Sequence, residues 1–250
     1  MRGLLHAEWT KLRTLPGTGR LLLTIVALTV AVGVAASSVV SCCGYDSARI
    51  GLFGVQVSQA VVAVLAVLTI TGEYGTGMIH LTLAAMPRRT GVLAAKAIVL
   101  AGLTLVTGSV AVLASALVTR PILLGNGFPA ETLDLTEGPV LRAAVGSVLY
   151  LALIALFSLG VATAVRDSAT AIGVVLGLLH LFPSLILMVS DADWQRLLWR
   201  ISPMNAGLAV QSTTDLTGLP LPPWTGLGVL AAWAAVALLG GGLLLRTRDA

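Results

Sequence analysis

The run Gly72-Glu73-Tyr74-Gly75-Thr76-Gly77 has the glycine density of a phosphate-cradling loop but lacks the rest of that chemistry. A Walker loop carries Lys and Ser or Thr after its last glycine and follows a buried strand. Here Met78-Ile79 follow, and a long apolar run precedes, so nucleotide binding by this chain is not expected. His6, His80 and His180 stand singly, with no HExxH and no cysteine or carboxylate at ligand spacing, which argues against a metal centre. Hydroxyls within apolar runs, such as Thr24, Ser58, Thr69, Thr107, Ser109, Ser147 and Ser158, have no triad or Ser–Lys partner. Their expected use is bonding to backbone carbonyls and neighbouring helices. Cys42 and Cys43 are adjacent, and a Cα spacing of about 3.8 Å is too short for an ordinary bridge between them. They read as small apolar residues at a helix end, with an intermolecular bridge or a metal site as alternatives. No catalytic residue emerges, and the chain is not expected to be an enzyme.

One histidine has a second reading. His180 falls near the middle of an apolar run, two residues before Phe182-Pro183, where a polar group is costly. It serves either as an interhelical hydrogen-bond partner beside a proline kink or as a lining residue of a path through the membrane.

The elements around these residues are set by composition. With 57% hydrophobic and 10% charged residues and a mean hydropathy of +0.97, the chain is too apolar for a soluble domain, where about 25% are charged. Six apolar runs, about 21–41, 52–71, 92–118, 143–165, 169–190 and 225–245, are each long enough to cross a bilayer. Backbone polar groups in hydrocarbon must pair within the protein, and the period-two alternation of a barrel is absent, so the runs are expected to be helices. The fold class is thus an all-α membrane protein with six transmembrane helices in a single domain.

Orientation follows from Lys and Arg. With a cytoplasmic amino terminus, that face holds Arg2, Lys11, Arg13, Arg20, Arg88, Arg89, Arg166, Arg246 and Arg248, with Lys96 just inside the third span. The opposite face holds Arg49, Arg120, Arg142, Arg196 and Arg200. The positive-inside rule therefore puts both termini in the cytoplasm of a multi-pass protein of the cell membrane. The net charge of +4 is a topology signal and not a nucleic-acid footprint. The first span, preceded by about 20 residues of mixed polarity, is not expected to be a cleaved signal peptide. No carboxylate lies deep within a span, which argues against an ion- or proton-coupled carrier.

Residues 1–20 read as an amphipathic lead-in with Leu5, Trp9 and Leu12 on one face, ended by Pro16-Gly17. The Pro- and Gly-rich stretch 119–141 reads as a plain outer connector. Arg166-Asp167-Ser168 makes a tight turn whose Asp or Ser caps the fifth helix, and spans four and five are expected to pack as a hairpin. Trp194, Leu197, Leu198 and Ile201 fall at i, i+3, i+4 and i+7, predicting a short amphipathic outer helix that ends near Pro203. Gly173 and Gly177 form a GxxxG pattern that would permit close helix contact.

Three features together resemble the type-2 ATP-binding-cassette (ABC) transporter permease family, in its export-type membrane subunits. They are the lead-in Ala7-Glu8-Trp9-Thr10-Lys11-Leu12-Arg13-Thr14, the turn Thr71-Gly72-Glu73-Tyr74-Gly75-Thr76-Gly77-Met78-Ile79, and Leu81 through Pro87-Arg88-Arg89. The resemblance implies six spans, an interfacial helix before the first, a cytoplasmic coupling helix between spans two and three, and a short outer helix between spans five and six. It also implies a second permease copy, as homodimer or heterodimer, and two copies of a separate ATP-binding subunit that holds ATP and Mg. No cofactor is expected on this chain.

On that resemblance the residues expected to contact the ATPase are Glu73, Tyr74, Met78, Ile79, His80, Leu83, Arg88 and Arg89. Glu8, Trp9, Lys11 and Arg13 belong to the interfacial lead-in, and His180 is a pathway candidate. The implied function is export, or efflux, coupled to ATP hydrolysis in the partner. The alternatives are a membrane-parallel loop whose arginines meet anionic lipid at 72–89, a scaffold or immunity subunit that transports nothing, and an intramembrane enzyme.

Overall fold

The computed structural model describes residues 2–14, 16–41, 44–75, 77–78, 89–130, 134, 137–214 and 216–247. Every regular element among them is helical. The order is α1 (Arg2–Thr14), α2 (Pro16–Val39), α3 (Ser47–Gly51), α4 (Phe53–Gly75), α5 (Arg89–Gly125), α6 (Gly138–Val165) and α7 (Ser168–Leu176). A π-helical turn (Gly177–Leu181) continues α7 into α8 (Phe182–Ile186). The chain then forms α9 (Ala192–Ile201), α10 (Pro203–Leu208), a 3₁₀ turn (Ala209–Gln211) and α11 (Pro223–Thr247).

Six of these segments are long and apolar enough to cross a membrane: Gly17–Val39, Ser47–Gly75, Thr90–Gly125, Gly138–Val165, Ser168–Ile186 and Pro223–Thr247. The chain is an all-α, multi-pass membrane protein. Within the most apolar stretch of α4 and of α6, 61% lies inside the protein, against 22% for α2. The α4 and α6 helices are therefore the centre of the bundle, and the others surround them.

Close backbone contact fixes the main seam. A side chain at Gly241 of α11 would come within 2.6 Å of the Gly160 carbonyl of α6, and Gly160 itself lies against the backbone of Ala237 and Leu238. Helices separated by glycine gain dispersion contact that lipid cannot match, and α6–α11 is the most extensive helix pair. The GxxxG of Gly173 and Gly177 forms no such seam within the chain, since Gly173 has open space around it. The tight turn at 166–167 is as expected, with Arg166 left-handed (φ 67°) and Asp167 accepting from the Thr170 N–H at 2.7 Å. However, α6 packs chiefly on α11, α4 and α5, and only modestly on its hairpin partner α7.

Two elements depart from the expected connectors. The third span continues through Pro121 to Gly125, because a proline so near a helix end costs few backbone bonds. Between the fifth and sixth spans, α9 is followed by the separate helix α10, whose Pro203, Met204, Ala206, Gly207 and Leu208 are buried.

Hydrogen bonds between elements sort the loops into two ends. At one end, α1 meets α4 and α5, Arg166 reaches the Leu244 carbonyl, and Arg246 meets Thr90. At the far end, Asn126 bonds the Ser37 carbonyl, Arg142 the Ser212 carbonyl, and Asp46 holds Thr213 and Thr214. The first and last helices thus begin and finish at the same end.

Candidate functional site

Spacing on α1 puts Glu8 and Lys11 one helical turn apart on one face. Glu73 occupies the last turn of α4 and Lys96 the second turn of α5, and these four residues form one ion cluster in which Glu8, Glu73 and Lys96 are buried and Lys11 is half-buried. The Lys96 ammonium donates to Glu73 Oε1 at 2.7 Å, Glu8 Oε2 at 2.8 Å and the Thr69 carbonyl at 3.2 Å. All three of its N–H donors are therefore used. Lys11 donates to Glu73 Oε1 at 3.0 Å and Glu8 Oε1 at 3.3 Å. The Lys96 side chain is 3% exposed and the two carboxylates 6% and 10%.

Two positive and two negative charges cancel, which allows the group to be buried at all. Burial on its own would push the Lys11 ammonium below the usual lysine range. The hydrogen bond and charge of Glu73, with those of Glu8, outweigh that and hold it above.

The cluster decides how Glu73 and the lead-in residues are turned. Glu73, placed among the ATPase contacts, points into the protein and binds the lead-in. On α1, Glu8 is the residue turned inward, while Trp9 remains 46% exposed, Leu5 and Leu12 are half-buried and Arg13 is exposed. Of the stripe Leu5, Trp9 and Leu12, only the leucines, one turn before and one turn after Glu8, turn partly inward, while the ion cluster ties the helix to α4 and α5 and leaves Glu73 Oε2 buried without a hydrogen-bond partner among the described residues.

Beyond Glu73, Tyr74 is half-buried with the Arg166 guanidinium 5.5 Å from its ring centre, and Met78 is 46% exposed. Gly77 is left-handed (φ 69°), a conformation glycine takes without strain. Arg89 opens α5. Ile79, His80, Leu83 and Arg88 lie outside the described residues, as does the expected coupling helix between the second and third spans.

A second polar group lies within the bundle and carries no formal charge. The Tyr150 hydroxyl of α6 donates to Gln59 Oε1 of α4. The Gln59 amide nitrogen lies 3.3 Å from Met204 Sδ of α10 and 3.4 Å from His180 Nε2. Its two hydrogens serve both acceptors when His180 Nε2 is the unprotonated nitrogen. Gln59 and Tyr150 are fully buried and His180 is half-buried.

His180 reaches this position from the π turn. Pro183 has no N–H to return to the Leu179 carbonyl, the helix widens there, and Phe182 N–H bonds the Gly177 carbonyl five residues back. The interhelical hydrogen bond expected of His180 is present. Sequence reasoning passed over Gln59, Tyr150 and Met204. The legible signal was Gln59, a strongly polar amide within an apolar span.

The hydroxyls behave as expected. Thr29, Thr71, Ser147, Ser158 and Thr163 each donate to a carbonyl one turn back. Ser115 crosses to the Gly51 carbonyl and Ser168 to Thr71. No group of three or more His, Cys, Asp or Glu suited to a metal ion occurs among the described residues. Compared with protein-family models and with curated proteins, the chain matches none.

Proposed function

We propose that this chain is the permease subunit of an ABC-type exporter. It works in the cell membrane with both termini in the cytoplasm, beside a second permease copy and two separate ATPase subunits that hold ATP and Mg. The supporting observation is the ion cluster. ATP-driven closure of partner subunits performs work on a membrane domain only through a stiff connector. Glu73 and Lys96 tie the ends of α4 and α5 to each other and, through Glu8 and Lys11, to α1.

A push delivered between residues 78 and 89 is in this reading passed to three helices as one body. Met78 supplies exposed apolar surface to the ATPase, while Ile79, His80, Leu83, Arg88 and Arg89 complete the contact. Glu73 and Tyr74 position that surface from within. The substrate path runs along the interface of the two permease copies.

Purification of the tagged chain from its native membrane, with a cross-linker installed at Met78→Cys, tests this reading. An ATP-binding-cassette ATPase recovered in near-equal amount and cross-linked at position 78 is the expected result. A chain recovered without any ATPase, under conditions that leave the bundle folded, would favour a membrane scaffold. ATP-dependent accumulation of substrate in inverted vesicles containing both subunits then separates export from assembly alone.

A further inference from the structure

The end of the bundle far from the ion cluster carries a cleft of about 400 Å³ between α3, α9, α10 and the stretch 219–221. Its polar lining is Arg49, Gln195, Arg196, Asn205 and Ser212, and Trp199 and Leu187 contribute to its apolar wall. Among the described residues no carboxylate lines it. Asp46, the acid nearest Arg49 in sequence, is engaged elsewhere. Its carboxylate accepts from the backbone N–H groups of Arg49, Thr213 and Thr214 and from the Thr213 hydroxyl.

The Arg49 guanidinium makes no ion pair or hydrogen bond among the described residues. Among the described residues Arg196 meets only Asp193, at 3.4 Å, with both side chains more than two-thirds exposed, a pairing that a better anion displaces. The Asn205 amide nitrogen is buried without a hydrogen-bond partner among the described residues. Two guanidinium groups and an unused amide donor around one cleft are the chemistry of a phosphate site.

The depth of the cleft comes from α9. Its apolar stripe of Trp194, Leu197 and Ile201 is 60%, 47% and 43% exposed and faces away from the protein. Such a stripe settles where head groups meet acyl chains. Gln195 and Trp199, one turn apart on another side of the same helix, line the cleft, so the cleft opens at head-group level. Leu187, at the end of the fifth span and 66% exposed, continues its wall toward the hydrocarbon.

We infer that this cleft binds an anionic phospholipid, with the phosphate between Arg49 and Arg196 and an acyl chain along Leu187 and Trp199. The inference holds whichever face of the membrane this end occupies, and it does not depend on the exporter reading.

The test is native mass spectrometry of the full-length purified protein titrated with phosphatidylglycerol or with phosphatidylcholine of the same chains. Retention of one phosphatidylglycerol at concentrations where phosphatidylcholine is lost is expected. The double variant Arg49→Gln/Arg196→Gln should weaken it about 30-fold, at roughly 1 kcal/mol for each arginine near an anionic lipid. Arg200→Gln, on the same helix but outside the cleft lining, serves as the control and should leave retention unchanged. Both arginines of the double variant are exposed, so its melting temperature should equal that of the control. Equal retention of the two lipids, or an unchanged titration in the double variant, would overturn the site. Full displacement by millimolar glycerol 3-phosphate would overturn the lipid as occupant and assign the cleft to a soluble phosphate.

Discussion

The ion cluster of Glu8, Lys11, Glu73 and Lys96 and the neutral network of Gln59, Tyr150, His180 and Met204 perform the same mechanical task with different chemistry. The first fastens three elements, α1, α4 and α5, and the second four, α4, α6, the π turn and α10. The first sits where α4 ends and α5 begins, the second well inside both α4 and α6. Full charges are affordable where helix ends approach water and each ion finds several partners. Deeper in the bundle the same charges would cost several kcal/mol each, and neutral donors and acceptors take over. Position along the span therefore selects the type of fastener.

The sharpest way to break this contrast is Lys96→Met. It removes the ammonium that both buried carboxylates share, leaving Lys11 alone against two negative charges. A loss of about 3–5 kcal/mol is expected, measured as unfolding of the detergent-solubilised protein. Replacing Glu8, Glu73 and Lys96 together by apolar residues should cost much less than Lys96→Met, because no buried charge is then stranded. If the single variant were as stable as the parent, the cluster would be dispensable.

Gln59→Leu probes the neutral network. It leaves the buried Tyr150 hydroxyl without its acceptor and should cost about 1–3 kcal/mol in the same assay. Adding Tyr150→Phe to it should recover part of that loss, since the orphaned hydroxyl is then gone. A further loss in the double variant would mean that packing and not hydrogen bonding dominates.

His180→Leu should cost less, about 1 kcal/mol or below, because His180 is half-buried and offers one of several contacts to Gln59. It sharpens the comparison through the proposed export: a shifted substrate profile at normal assembly would place His180 on the proposed path, and an unchanged profile would leave it a fastener.

The smallest effect is expected from Lys11→Met, whose side chain is 32% exposed and solvent-screened, at about 0.2–1 kcal/mol. Its pH dependence has a definite sign. The folded protein holds the Lys11 proton more tightly than the unfolded chain, so its contribution is complete below the ordinary lysine pKa and disappears as pH rises through the raised value. Stability measured on the alkaline side should fall more steeply in the parent than in Lys11→Met.

Much of the architecture was legible in one dimension. Long apolar runs with charges between them can only be helices in hydrocarbon, and so the six spans, the Arg166-Asp167 turn and the helix 192–201 were readable from residue type and spacing, whereas Pro16 and Gly17, read as a break, open α2. The candidate sites were less so. Glu8 and Glu73 were noticed for their setting, yet nothing local could tell that both face Lys96. Those residues are 88 and 23 positions from it, and only packing brings them within 2.8 Å. Periodicity identifies the apolar stripe of Leu5, Trp9 and Leu12 without saying what covers it, and only the fold shows that Trp9 stays exposed while Glu8 turns inward.

Gln59 and Tyr150 are 91 residues apart, and their pairing depends on the contact of α4 with α6, which apolar composition leaves undetermined. The sequence by itself determined that the chain crosses a membrane as helices, because solvation of the backbone follows from composition and run length. Which helices touch, and which charges therefore neutralise each other, only the tertiary structure decided. Helix pairing rests on close approach at positions such as Gly160 and Gly241 and on ion pairs between distant segments, and neither is expressed in any single window of sequence.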